Sequence, residues 1–189
     1  MKALIQAIEN YKPYNQQEVS DKAIILKALR DSSHITTREN KDHHLTASAW
    51  LINPERTKVL MVYHNIYDSW SWMGGHADGN PDLLQVAIKE VQEESGLQEV
   101  QVVSDQIFSL EILTVDGHVR RGDYVSSHLH LNLTYLLQAS EQEALAIQPD
   151  ENSDVAWFDL DQAVEASSEP WFRENIYTKL NNKLKEISI

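Results

Sequence analysis

The sequence predicts an α/β fold with an N-terminal helical extension. Three observations carry that expectation. Residues 1–31 place apolar side chains at helical spacing, residues 45–138 contain a series of strand-length apolar or alternating runs, and residues 80–96 form one amphipathic segment with its own start and stop. A chain of 189 residues is long enough to bury one sizeable core. A composition shift near residue 40 divides it into a helical extension, 1–40, and a main domain, 41–189.

In chain order, Leu4, Ile5 and Ile8, then Ala23, Ile24, Leu26 and Leu29, mark two helices separated at Pro13. Asp21 favours a helix start through its negative charge. The polar run from Asp31 to His44 reads as a connector. Strands are expected at Leu45–Ile52, Lys58–His64, Val100–Val103, Gln106–Val115, Ser127–Gln138 and Val155–Asp159, with a turn at Asn53-Pro54-Glu55. In the clearest strand, Leu129, Leu131 and Leu133 share one face, and His128, His130 and Asn132 the other. The amphipathic segment has Asn80 as N-cap, Pro81 as its first helical residue and Asp82 in the first turn. Leu83, Leu84, Ala87, Ile88 and Val91 supply its apolar stripe, and Gly96 stops it. A closing helix is expected from Pro170 to Ile187.

Sixteen Lys and Arg against 29 Asp and Glu give a net charge of −13, which argues against bulk nucleic-acid binding and against an anionic membrane surface. It leaves room for a small phosphate-bearing substrate, because a divalent cation can mediate that contact. Cysteine is absent, which removes disulfides, thiolate metal sites and a cysteine nucleophile together. No run approaches the ~20 apolar residues of a membrane span. The first residues, MKALIQAIENY, lack the apolar core of a signal peptide. A soluble cytoplasmic protein is the expectation.

Glu90, Glu93 and Glu94 stand at i, i+3 and i+4 of the amphipathic helix, on one flank of its apolar stripe. Three like charges so close repel unless a cation compensates, and oxygen ligands at this spacing suit a hard ion. A solvated acidic face explains the spacing alone equally well. The preceding Gly74-Gly75-His76-Ala77-Asp78-Gly79 breaks the tie, because a glycine-rich loop lets backbone approach a ligand or metal.

The segment from Gly75 to Leu97 resembles the Nudix box, G-x5-E-x7-R-E-U-x-E-E-x-G-U, where U is a bulky aliphatic residue. Gly75, Glu90, Val91, Glu93, Glu94, Gly96 and Leu97 match in register. Pro81 stands where the box has its first glutamate and Lys89 where it has arginine. Asp82 is a partial replacement for the missing carboxylate. Lys89 keeps the charge but loses the planar fork that holds carboxylates. Val59–Tyr63, Trp72 and Val155–Phe158 extend the likeness, which covers roughly residues 43–168.

The resemblance implies an α/β/α sandwich around a mixed sheet, with the box as a loop-helix-loop. It implies hydrolysis of a nucleoside diphosphate derivative, or a related small phosphorylated metabolite, with Mg²⁺ as cofactor and Mn²⁺ as a substitute. Glu90 and Glu94 would be the main metal ligands, Glu93 a ligand or the general base, and the Gly74 carbonyl part of the inner shell. Glu151 is the candidate for a further carboxylate from a later loop. Arg38, Arg120 and Arg121 are candidates for holding phosphates. His76, His128 and His130 are candidates for contacting substrate, and Trp70, Trp72 and Tyr67 for stacking on a base. With no cysteine and no third clustered histidine, His128 and His130 are not read as a zinc site. The proline of ADP-ribose hydrolases, the tyrosine of diadenosine polyphosphate hydrolases and the NADH-type SQPWPxS signature are all missing; Glu111 to Val115 holds neither of the first two.

A nucleotide-sensing Nudix domain without hydrolysis is the competing reading, disfavoured by the intact glutamate set. Isopentenyl-diphosphate isomerase shares the fold, but its catalytic cysteine is impossible here. The N-terminal helices leave three roles open: covering an edge of the domain, capping the substrate pocket, or building a homodimer interface.

Overall fold

The computed structural model describes residues 1–120 and 122–187. Two helices, α1 (Lys2–Asn10) and α2 (Gln16–Asp31), precede β1 (His43–Ile52), β2 (Lys58–His64), β3 (Ser69–Ser71) and β4 (Met73–His76). Helix α3 (Leu83–Ser95) follows, then β5 (Gln101–Val102), β6 (Ser109–Val115), β7 (His118–Arg120), β8 (Asp123–Val125) and β9 (His128–Gln138). The chain ends with β10 (Asn152–Asp159), α4 (Leu160–Ala166), α5 (Pro170–Phe172), a π-helical turn (Arg173–Tyr177) and α6 (Thr178–Glu186). The strand order is β10-β2-β1-β9-β5, with β3 on β2, β4 on β1 and β6 on β9; β7 and β8 form a separate hairpin. Leu129 N–H donates to the Asp42 carbonyl and Ala139 N–H to the Ile52 carbonyl. β1 and β9 therefore run parallel, while β2–β10 and β6–β9 are antiparallel, so the sheet is mixed as expected.

The contacts divide into two compact units of interleaved segments. The first comprises 1–48, 74–87 and 105–135; the second comprises 49–73, 88–104 and 136 onward.

In the first unit, Leu4, Ile8, Ile25 and Leu29 bury the apolar stripes of α1 and α2, and Leu45, Leu83, Leu110, Leu131 and Leu133 belong to the same core. α2 begins at Gln16, five residues before the Asp21 expected to start it, because the Asn15 side chain accepts from Glu18 N–H. Asp21 is spent elsewhere. Its carboxylate accepts from Ile112 N–H at 3.0 Å, and Gln17 donates to the Leu110 carbonyl at 3.3 Å. Among the described residues β6 pairs only with β9, so α2 side chains satisfy backbone groups on its open edge. Of the three roles left open for the helices, covering an edge is the one these bonds perform.

α3 starts at Leu83, later than the Pro81 expected from sequence. Asp82 is its cap: Oδ1 accepts from Gln85 N–H at 3.2 Å, while Asn80 Oδ1 accepts from Asp82 N–H in the turn before it. Gly74-Gly75-His76, expected as loop, is strand β4; the turn is confined to residues 77–82. A Cβ at Gly74 would stand 2.5 Å from the Ala47 carbonyl oxygen and 2.8 Å from Ser48 Cα. That is backbone, which cannot swing aside. Gly74→Ala is therefore expected to cost about 1–3 kcal/mol of stability, read as a lowered denaturant midpoint at unchanged slope.

In the second unit, Val59–Val62 of β2, Leu51 and Ile52 form an apolar layer with Ala163, Ile176 and Leu180 among its buried partners. Trp50 is fully buried and stacks on Tyr177 at 5.5 Å between ring centroids. The closing segment is less regular than a single helix from Pro170: the π turn at Arg173–Tyr177 interrupts it, and the Thr178 hydroxyl donates to the Arg173 carbonyl. α4 has no counterpart among the sequence expectations, since seven residues are too few to show a helical period. The same holds for the β7–β8 hairpin. β6 starts at Ser109 instead of Gln106, and β5 is trimmed to two residues. Among the described residues, no helix is long and apolar enough to cross a membrane.

Candidate functional site

In the second unit, α3 carries Glu90 and Glu94 on one flank, and the turn before β10 carries Glu151. Their carboxylates offer oxygens that all lie within 4.8 Å of one another. Glu94 is buried, Glu90 partly buried and Glu151 exposed. Burial is the main cause holding the Glu90 carboxyl above its usual range; Lys89 opposes this, and the negative charges of Glu93 and Glu151 add to it. A bound cation would relieve the repulsion among these crowded carboxylates.

Glu151 is fixed by its backbone. Its carbonyl accepts from Asn65 N–H at 2.9 Å, and Asn65 Nδ2 donates to the Pro149 carbonyl at 3.2 Å. Asn152 is fully buried; its Nδ2 donates to the Glu94 carbonyl at 2.9 Å and its Oδ1 accepts from Gln148 N–H at 3.1 Å. One amide thus ties the last turn of α3 to the loop that bears Glu151. The sequence reading passed over Asn152, because an asparagine in a Pro-Asp-Glu-Asn turn carries no mark of a long-range role.

Glu93 is turned elsewhere. Lys89 Nζ donates to Glu93 Oε2 at 2.6 Å and lies 3.5 Å from Glu90 Oε1. Lys89 therefore links two box glutamates as a point charge, where a guanidinium would grip a carboxylate with two parallel bonds. Tyr67 is exposed and stacks on His64 at 4.3 Å between ring centroids. Trp70 packs edge-on against Phe158 at 4.7 Å and Tyr63 at 5.5 Å. Trp72 is buried against Phe172 and Tyr177.

The remaining candidates stand in the first unit. Gly74 lies in β4 against Ala47 and Ser48. Arg38 forms a two-pronged ion pair with Asp78, Nε to Oδ1 at 2.9 Å and Nη2 to Oδ2 at 2.7 Å. Its fork is thus occupied, and Asp78 is held below the usual carboxylate range chiefly by that bond. Arg120 is placed by its backbone opposite Asp123 in the β7–β8 hairpin, and Arg121 lies outside the described residues.

His128 and His130 are not alone, and here the sequence expectation is corrected. His44 from β1 and His76 from β4 meet them, with ligand nitrogens of all four within 4.8 Å. These residues are far apart in sequence, and only the pairing of β1, β4 and β9 gathers them. The polar face of β9 is also not solvated. Asn132 is buried and accepts from Thr46 and Ser48 hydroxyls at 3.0 and 2.9 Å, and it donates to Glu111. Burial lowers the pKa of His44 and takes His130 down to about 2, with the neighbouring His76, His44 and His128 adding to the effect on His130.

With this geometry established, comparison with known proteins identifies the fold. A family profile described as the NUDIX domain matches residues 42–180. The chain belongs to the NUDIX domain family. No curated protein matches it by sequence. Solved structures similar to this Nudix chain include a C. elegans Ap4A hydrolase binary complex, 16% identical with a TM-score of 0.54, covering 75% of this chain and 94% of that one. A MutT protein from Methanosarcina mazei Go1 is 14% identical with a TM-score of 0.56, covering 78% of this chain and 99% of that one. The E. coli dihydroneopterin triphosphate pyrophosphohydrolase is 15% identical with a TM-score of 0.53, covering 73% and 95% respectively. These likenesses establish the α/β Nudix fold, with the N-terminal helices in addition.

Proposed function

We propose that this Nudix protein is a Mg²⁺-dependent pyrophosphohydrolase, served also by Mn²⁺, acting on a nucleoside diphosphate derivative or a related small phosphorylated metabolite. The observation that carries the reading is the convergence of the Glu90, Glu94 and Glu151 carboxylates within 4.8 Å. An all-oxygen donor set of this kind fits a hard divalent cation. The names of two similar structures, an Ap4A hydrolase and a dihydroneopterin triphosphate pyrophosphohydrolase, point to phosphoanhydride substrates.

When bound, the cation supplies charge neutralisation for the diphosphate and lowers the pKa of a coordinated water. Glu90, Glu94 and Glu151 would hold it, with Asn152 tying the loop that bears Glu151 to the last turn of α3. Glu93 stands outside the oxygen set and takes the base role, receiving the proton of the attacking water once Lys89 releases it. The water oxygen bonds to phosphorus, the bridging P–O bond breaks, and the two phosphate-bearing halves leave. Tyr67, exposed and within the field of Glu94, offers an aromatic face for a base.

A panel of nucleoside diphosphate derivatives, incubated with Mg²⁺ or Mn²⁺ and followed by product analysis, tests the assignment. Cleavage at a phosphoanhydride, abolished by EDTA and restored by added metal, is the expected result. A nucleotide that raises the melting temperature with no turnover under either metal would replace hydrolysis with sensing.

A further inference from the structure

We propose that His44, His76, His128 and His130 form a four-imidazole binding site for a borderline transition-metal ion of the Zn²⁺ class, separate in its donors from the glutamate set. The four rings come from three strands, β1, β4 and β9. Their centroids stand 5.0 Å apart for His44–His76, 5.0 Å for His44–His128, 5.1 Å for His44–His130 and 4.8 Å for His76–His130.

Two backbone bonds orient the rings. His44 Nδ1 lies 3.0 Å from the Asn40 carbonyl, and His128 Nδ1 lies 2.8 Å from the Ser126 carbonyl. A carbonyl only accepts, so each Nδ1 carries a proton, and in the neutral ring each Nε2 then carries a lone pair. This is how metal-binding histidines are commonly oriented, with the second ring nitrogen donating to a backbone carbonyl.

Each of the four rings brings a ligand nitrogen within 4.8 Å of those of the others. His44 Nε2 is buried and has no hydrogen-bond partner, a costly state for a polar atom and one that a metal ion would relieve. His128 Nε2 and His130 Nε2 are 3.2 Å apart. Two nitrogens about 2.0–2.1 Å from one tetrahedral Zn²⁺ are separated by roughly 3.3–3.4 Å. An N–H···N bond between His128 and His130 explains that pair alone, but it leaves His44 Nε2 unanswered. The groups acting electrostatically on His44 are His128, Arg38 and Asp78, and the two-pronged Arg38–Asp78 pair offsets one charge with the other. An imidazole-only donor set suits Zn²⁺, Ni²⁺ or Cu²⁺ and does not suit Mg²⁺.

The test uses the full chain, stripped with EDTA and then held in excess Mg²⁺ to fill the carboxylate set. Titration with Zn²⁺ is expected to show one equivalent bound per chain and a raised melting temperature. Co²⁺ in its place is expected to give the intense visible absorption of a tetrahedral ion. His130→Gln and His44→Gln should each weaken Zn²⁺ binding by on the order of 100-fold or more, while Glu94→Gln should leave it unchanged. Absence of stoichiometric Zn²⁺ binding by the wild type overturns the site, as does a weak octahedral Co²⁺ spectrum. Undiminished binding by both histidine variants overturns it too. If a variant fails to fold, the wild-type stoichiometry and Co²⁺ spectrum still decide.

Discussion

Glu94→Gln is expected to lower Mg²⁺-stimulated phosphate release by on the order of 10³-fold while the protein stays folded, because about 1.4 kcal/mol of lost transition-state stabilisation costs each factor of ten. The side chain keeps its shape in a buried position, and only the anionic oxygen is lost. Glu90→Gln is expected to fall in the same range, and it also removes a carboxylate from a crowded set. Glu151→Gln should act more weakly, mainly by raising the Mg²⁺ concentration needed for half-maximal rate, since its side chain is exposed. Initial rates across a metal titration separate these outcomes. Unchanged turnover of Glu94→Gln at saturating Mg²⁺ would refute its assigned role.

Much of this site was legible in the chain because a helix fixes its own geometry. Once Glu90, Glu93 and Glu94 are placed on one helix, their common flank follows without knowledge of the rest of the fold. The structure then divides them by a property spacing does not contain: Lys89, one turn away, takes Glu93 from the set. The α/β class and the mixed sheet were likewise legible, from strand-length runs and the box. The histidine cluster was not. His44 stood in a segment read as connector and His76 in one read as loop, and strand pairing alone brings them beside His128 and His130. Helix starts were misplaced for a local reason. At both α2 and α3 more than one residue was able to cap, and Asn15 and Asp82 are the ones whose side chains reach the free N–H groups.

Removal of residues 1–31 is expected to make the chain aggregate or pair through β6. The truncation takes away Gln17 and Asp21, which bond the β6 backbone. It also takes away Glu18, which is fully buried and accepts from the Tyr11 hydroxyl at 2.6 Å and the Ser109 hydroxyl at 2.8 Å. What remains is an uncovered strand edge with Leu110 and Ile112 on it, a template for another chain. Size-exclusion chromatography with light scattering checks this; a stable truncated monomer contradicts it. In the full chain, Gln17→Ala and Asp21→Ala should each cost about 1 kcal/mol, the usual worth of such a bond.

That same edge sets an order on biosynthesis. Glu18 meets Ser109, Gln17 meets Leu110 and Asp21 meets Ile112, partners separated by 91 to 93 positions. β6 in turn is paired along β9, out to Thr134. At about 5–20 residues per second, α2 leaves the ribosome several seconds before the strand it seals has been translated. The nascent chain therefore carries α1 and α2 as an amphipathic pair with no sheet to rest on. The segments made early are therefore among the last to find their place.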